Sequence, residues 1–323
     1  MVGRPRAGRL QRVGSRFVAA IGRQEWLDRP SYRFEHLLSF AYNSLGGARN
    51  TVTNALNGVW LGHPVHPPLA SLTSGALGTT VALDALSLLP GQPASEVVDA
   101  SRFASRALGV GILASIGSAV TGVTDWQHTH EEDRRVGAVH GLVNLAATAL
   151  YAWSWWDRRQ GRHGRGIAFT ALGYGITVVG SYLGGALVFD SGIGIDQSGA
   201  RLRTREWTPV LSASSLNGKP VRVEVDGVGL VVCQTQPGEV AAFGELCPHL
   251  AAPMADGWLD RGRLVCPWHG SWFAAESGDV LRGPAAAPLP CYEARLVNGM
   301  IEVRGEAEPA LGGAVGIGEG ESK

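Results

Sequence analysis

The chain has 323 residues, room for two modest domains, with no net charge at neutral pH and only 17% charged side chains. That balance excludes nucleic acid as a partner implied by composition, and four cysteines in so long a chain exclude a disulfide framework. The 45% hydrophobic fraction is ordinary; the informative feature is where the charges are missing.

Eight arginines (4, 6, 9, 12, 16, 23, 29 and 33) are spread over the first 33 residues, with no apolar run behind them and no adjacent pair. This is not the layout of a secretory or twin-arginine signal. The expectation is a disordered basic arm over 1–30 that stays on the side of synthesis, in solvent or against anionic headgroups. In 31–57, Phe34, Leu37, Leu38, Ala41 and Leu45 recur at helical spacing until Gly46 and Gly47 break it. That pattern predicts a helix lying along a membrane interface, then a second short one.

Four long stretches follow, at 67–89, 104–123, 136–156 and 167–189, and their only Asp, Glu, Lys or Arg are Asp84 and, at the start of the second, Arg106. Each approaches the ~20 residues that cross a bilayer. Trp126, Trp153, Trp155 and Trp156 sit at stretch ends, where interfacial aromatics collect. Gly180 and Gly184 form a G-x-x-x-G that lets a neighbouring helix approach. The expectation for 31–193 is an integral, multi-pass four-helix membrane domain. Four crossings put both its ends on one side, here side A. Side A has Arg49, Arg134, Arg135, Arg201, Arg203 and Arg205 near the helix ends, and the opposite side B has Arg102, Arg158, Arg159, Arg162 and Arg165. That count gives no orientation unless the basic arm joins side A. Asp84, toward side B, is either a functional intramembrane acid or one that snorkels to the interface.

Residues 194–206 are expected to be a linker of Gly, Ser and charge. From 207 to 304 the pattern changes to period-two strands, VRVEVD, VGLVVCQ, EVAAF, YEARLV and MIEVR, separated by Gly, Pro and Asn turns. The tail 305–323 reads as disordered. The expected fold is thus an α-helical membrane bundle of four transmembrane helices followed by a small all-β domain.

Within that domain two loops carry Cys247-Pro-His249 and Cys266-Pro-Trp-His269, sixteen residues apart. Each offers one thiolate and one imidazole. Zinc fingers usually pair Cys with Cys and His with His, whereas a Rieske centre puts two Cys on one iron and two His on the other. CPHL, CPWHGSWF and the following GPAAAPLPCYEARL resemble the two cluster loops, the proline-rich loop and the closing strands of Rieske iron–sulfur proteins. The resemblance implies a [2Fe–2S] cluster held by Cys247, His249, Cys266 and His269.

The same resemblance places Ala252 and Trp268 where Rieske proteins of quinol-oxidising complexes have a disulfide. It places Ser271 and Phe273 where those proteins have a Ser and a Tyr that donate hydrogen bonds to the cluster. The site is therefore similar to ferredoxin-type Rieske proteins that feed oxygenases. Only nineteen residues, none of them His, follow Arg304. They offer no mononuclear iron domain, and no Gly-rich dinucleotide loop sits in a strand–helix context. The expectation is an electron-transfer component rather than a complete enzyme. Cys233 and Cys291 are expected to be buried structural thiols, with a disulfide between them left open.

WLGHPVHPP, TGVTDW and SYLGGALVFDSGIGI resemble an uncharacterised HP-x-HP family of four-helix bacterial membrane proteins, which brings no activity. His63, His66, His128, His130 and His140 fall at or near side A, with His140 expected one turn inside the third helix. They are interfacial or capping residues, or else His63, His66 and His140 hold haem b or a quinone.

Three readings stay open. The first is a membrane-tethered Rieske ferredoxin that passes single electrons to or from a reductase or oxygenase. The second is a haem- or quinone-linked membrane oxidoreductase. The third is a redox-sensing or structural cluster module. The cluster domain is expected to face the cytoplasm, the partners being the bilayer and a redox protein.

Overall fold

The structure, a computed structural model, describes residues 9–306, with side chains from 14 to 305. The tail expectation for 305–323 and the first residues of the basic arm lie almost wholly outside this range. The described chain divides into two units, one ending at Ile195 and one beginning at Asp196.

The first unit is helical: α1 Arg9–Gly22, α2 Asp28–Ser44, α3 Arg49–Asn57, α4 His66–Ser87, α5 Ala94–Trp126, α6 Glu131–Arg159 and α7 His163–Phe189. α1 departs from the disordered arm expected there. Its apolar Phe17 and Ile21 lie one helical turn apart. Its end is tied down where α6 begins. Arg135 donates to the Gly22 carbonyl at 2.7 Å and pairs bidentately with Asp28 at 2.8 and 2.7 Å, while Arg134 meets Glu35 at 3.0 Å. Tyr42 and Thr124 join α2 to the end of α5 through their hydroxyls, 2.7 Å apart. The arginine-rich segment therefore lies on side A.

α4 to α7 are long and apolar enough to cross a membrane. Their apolar side chains face outward: Leu113 is 72% exposed and Leu145 65%. A water-facing bundle of this size would hide such a surface. α5 and α6 are longer than their charge-poor stretches. α5 begins with Glu96, Asp99 and Arg102 still in the helix, and α6 opens on Glu131, Glu132 and Asp133. Acids in a first turn favour helix through the macrodipole. His140 is consequently nearly three turns inside α6 rather than one.

Asp84 does not snorkel. It is 4% exposed and forms a bidentate ion pair with the equally buried Arg158, one contact being 2.9 Å. Arg158 also donates to Ser154 and Thr170, both at 3.2 Å, so the pair is saturated. At Gly180 and Gly184 an added Cβ would stand 2.6 Å from Asn144 and 2.9 Å from His140, both on α6. The G-x-x-x-G makes room for those side chains.

The second unit has two antiparallel sheets. Six strands order β1-β10-β9-β4-β3-β2, from β1 Thr208–Ser212, β2 Val221–Val225, β3 Val228–Gln236, β4 Glu239–Gly244, β9 Cys291–Val297 and β10 Met300–Glu306. Four three-residue strands, β5 Trp258–Asp260, β6 Arg263–Val265, β7 Trp272–Ala274 and β8 Val280–Arg282, form the second sheet in that order. β2, β3, β4, β9 and β10 are the strands their alternation predicts.

The expected linker 194–206 is corrected by packing. Leu202 is 1% exposed among Val225, Leu230, Ile301 and Val303, and its N–H donates to the Tyr292 hydroxyl at 3.3 Å. An apolar side chain with a core to enter does not remain in a linker.

Candidate metal centre

Three loops of the second unit meet: 245–257 after β4, 266–271 between β6 and β7, and 283–290 between β8 and β9. The first closes on itself. The Cys247 N–H donates to the Ala252 carbonyl and the Ala251 N–H returns to the Cys247 carbonyl, both at 2.9 Å. Ala251 turns the chain there with φ +56°, in the left-handed region. The second loop closes through the Cys266 N–H on the Ser271 carbonyl at 2.9 Å, with Gly270 at φ +67°. β6 and β7 fix the spacing of Cys266 and His269, because only a six-residue turn separates these two paired strands.

Cys247 and Cys266 are each 1% exposed, in a core of Phe243, Met254, Leu264, Phe273, Ala285 and Leu289. The thiols lie against one another. The Cys247 thiol and the backbone N–H groups of Trp268, His269 and Ser271 hold Cys266 down to about 7. The neighbouring sulfur and burial push Cys247 up. One negative charge is thus favoured on the pair, and a second needs a cation beside it. Both sulfurs are aimed at by backbone donors, Cys247 by the N–H groups of His249 and Leu250.

His249 and His269 face each other edge-on, ring centroids 5.0 Å apart and planes at 89°. Both are half-buried, and the neighbouring Trp268 is 58% exposed. The thiols are therefore interior and the imidazoles rim the surface. Among the described residues no three His, Cys, Asp or Glu side chains converge on one point, as a single zinc ion would require. Two thiols on one side and two imidazoles on the other fit a two-iron group, with Cys247 and Cys266 on one iron and His249 and His269 on its partner.

Ser271 is wholly buried and its Oγ accepts the Ala285 N–H at 3.0 Å, pinning the proline-rich loop over the second cluster loop. Phe273, also wholly buried, presents a ring without a hydroxyl. Ala252 is buried and carries no sulfur. Sequence reasoning missed two supports. Gln197, in the supposed linker, donates its N–H to the Pro248 carbonyl at 3.0 Å, holding the first cluster loop. Gly199 and Leu202 around it were the available signals, a turn residue and an isolated apolar one. Ala285 leaves no sequence signal beyond its place in a proline-rich run.

Cys233 is wholly buried, Cys291 half-buried, and both are free thiols. Burial pushes Cys233 up to about 12 and raises Cys291 as well. In the helical unit His63 is exposed, its Nδ1–H donating to the Pro64 carbonyl at 3.0 Å. His66 and His140 come together instead, with ring centroids 6.3 Å apart and planes at 78°.

Residues 206–293 match the family described as Rieske [2Fe-2S] domain, and residues 62–197 match the one described as Predicted membrane protein (DUF2231). The ferredoxin component of the naphthalene 1,2-dioxygenase system of Pseudomonas putida is 30% identical over 96 residues, which are 29% of this chain and 91% of the relative. Apoptosis-inducing factor 3 of Homo sapiens is 38% identical over 88 residues, 27% of this chain and 14% of the relative, so the chain spans about one-seventh of that protein's length. Among solved structures, the oxygenase–ferredoxin complex of carbazole 1,9a-dioxygenase matches with 30% identity and a TM-score of 0.29, covering 31% of this chain and 94% of that one.

Proposed function

The chain belongs to the Rieske [2Fe–2S] family, and from that membership we propose that it is a membrane-anchored one-electron carrier serving a reductase or an oxygenase. The cluster supplies a reversible one-electron couple when bound. The observation that carries the reading is the split donor set, with thiols sealed in the core and imidazoles on the rim. Cys247 and Cys266, both buried, would hold one iron away from solvent. His249 and His269 give a partner an aromatic contact within electron-transfer reach, and the exposed Trp268 beside them supplies apolar area for docking. The likeness to dioxygenase ferredoxin components supports an oxygenase-type partner.

The four apolar helices support anchoring in the bilayer. Counting the arginines of α1 and α2 on side A tips the Lys/Arg balance there, which supports a cytoplasmic side A. The polypeptide leaves α7 on that side, so the cluster domain faces the cytoplasm in this reading. Potentiometric titration of the full-length protein in detergent tests the carrier function. One reversible electron per chain, followed by rapid reoxidation on mixing with an oxidised Rieske oxygenase, is expected. A cluster that cannot be reduced reversibly would leave only a structural role.

A further inference from the structure

The helical unit contains an internal repeat. α4 with α5 and α6 with α7 are two hairpins whose side chains correspond at constant offsets. The Thr80 hydroxyl of α4, which donates to the Ala76 carbonyl at 2.9 Å, lies 3.5 Å from the Ala104 carbonyl of α5, and Ser154 of α6 donates to the Gly166 carbonyl of α7. Leu77 sits where a Cβ on Gly111 would be 2.7 Å away, and Tyr151 sits 2.9 Å from the same atom built on Gly173. His66 donates Nδ1–H to the Ser118 carbonyl at 2.8 Å, and its ring fills the space a Cβ on Gly122 would need. His140 donates Nδ1–H to the Gly180 carbonyl at 2.9 Å, against Gly184. Within each helix the residue intervals are identical in both hairpins.

Both hairpins run in the same sense, so a pseudo-twofold axis lies along the bundle. Asp84 and Arg158 occupy equivalent positions and pair with each other across this axis. His66 and His140 are also equivalent and face each other across it, eighteen residues earlier in each helix. At about 1.5 Å per residue the two layers are ~27 Å apart. The ion pair locks the axis at side B. The side A layer has two half-buried imidazoles set edge-on to each other.

A carbonyl oxygen cannot donate, so each Nδ1 carries the proton and each Nε2 is a lone pair. The Asn144 amide donates one N–H to the His140 carbonyl at 2.9 Å and its second lies 3.3 Å from His140 Nε2, a contact that a metal on Nε2 would replace. Two acceptor nitrogens cannot donate to the carbonyls of a quinone, and 6.3 Å between ring centroids leaves no room for one. The spacing does suit one metal atom: a bond of about 2.0 Å to each imidazole, plus the half-width of each ring, sums to about this separation. A backbone acceptor on the second nitrogen is how ligating histidines are oriented.

We propose that His66 and His140 are the two nitrogen ligands of a single transition-metal centre on this axis. No third Cys, His, Asp or Glu joins them among the described residues. A bare divalent ion on two neutral ligands would keep its full charge at the apolar end of the bundle, which is costly. The centre is therefore one that two imidazoles satisfy: the iron of a haem, whose macrocycle supplies the other nitrogens, or monovalent copper. The site stands independently of the electron-carrier reading.

The test is metal analysis and absorption spectroscopy of the full-length protein in detergent, as purified and after incubation with haemin or with Cu(I). His66→Gln and His140→Gln are the informative variants, because the glutamine amide can still donate to the Ser118 or Gly180 carbonyl while offering no ligating nitrogen. One haem, read as its haemochrome, or one copper per chain beyond the two cluster irons is expected. Each Gln variant should lose it while the cluster's EPR signal and the thermal melt of the helical circular dichroism stay, which shows both units are folded, and His63→Ala should keep it. Haem and copper distinguish the two sources of the metal. Absence of both after incubation, or their retention in both Gln variants, overturns the proposal.

Discussion

The Ala285 backbone N–H donates to Ser271 Oγ at 3.0 Å, which leaves the Ser271 hydroxyl proton as a donor toward the cluster loops. Such a donor strengthens when the cluster gains negative charge, so it favours the reduced state. A gain of ~1 kcal/mol on reduction shifts a one-electron couple by roughly 40 mV. Ser271→Ala should lower the midpoint by about that amount. Phe273→Tyr should raise it, since it restores a hydroxyl to a ring that is wholly buried in the same core. With Phe273 and without a disulfide, the wild-type midpoint is expected in the lower part of the Rieske range of about −150 to +300 mV. Protein-film voltammetry reads all three, and a Phe273→Tyr midpoint at or below wild type would contradict the argument.

The buried Asp84–Arg158 pair predicts a thermodynamic cycle. Asp84→Asn strands a guanidinium that is nearly inaccessible to solvent, and removing one partner of such a pair costs about 3–5 kcal/mol. Asp84→Leu combined with Arg158→Leu removes both charges and should be much milder than either single change. Unfolding of the full chain in mixed micelles measures the cycle. Additive single effects would mean the two charges are not coupled.

Cys233 and Cys291 should differ in alkylation. Burial holds the Cys233 thiol neutral up to about 12, whereas an unfolded cysteine titrates near ~8.5. Only the thiolate reacts. At a pH near ~8.5, Cys233 should stay unmodified in the folded protein and react once denatured. The half-buried Cys291, also raised by burial, should react slowly in the native state. Mass spectrometry of iodoacetamide-treated protein decides this, and fast native labelling of Cys233 would show that β3 opens.

The arginines of α1 and α2 on side A predict a cytoplasmic side A. A C-terminal reporter fusion that is active only in the cytoplasm should be active, and one that requires export should be silent. The reverse pair of results would place side A outside and make α1 an exported helix.

The Rieske domain was legible because the mixed Cys/His spacing of its two loops is specific, and the four apolar helices were legible because charge is nearly absent over a whole bilayer's thickness. Other features were not. The first ten residues of α5 are helical but charged, so a search for charge-free runs passes over them. β5 to β8 have three residues each, too few to show alternation, yet they carry the second cluster loop. Leu202 reads as a stray apolar residue in a linker until a core is there to receive it. His66 and His140 both stood out as histidines near one membrane face. Their pairing needed the constant offset between hairpins, which becomes visible only once Gly122 and Gly184 are seen against the two rings.

The central claim is that Cys247, Cys266, His249 and His269 hold a [2Fe–2S] cluster with both imidazoles on one iron. Iron and acid-labile sulfide analysis of the full-length protein, combined with electron–nuclear double resonance on protein labelled with nitrogen-15 histidine, tests it most directly. Two cluster irons and two sulfides per chain are predicted, with two histidine nitrogens coupled to the reduced centre and both couplings lost in His249→Ala and His269→Ala. A single zinc without sulfide, or a sulfide-containing centre with no histidine coupling, would contradict it.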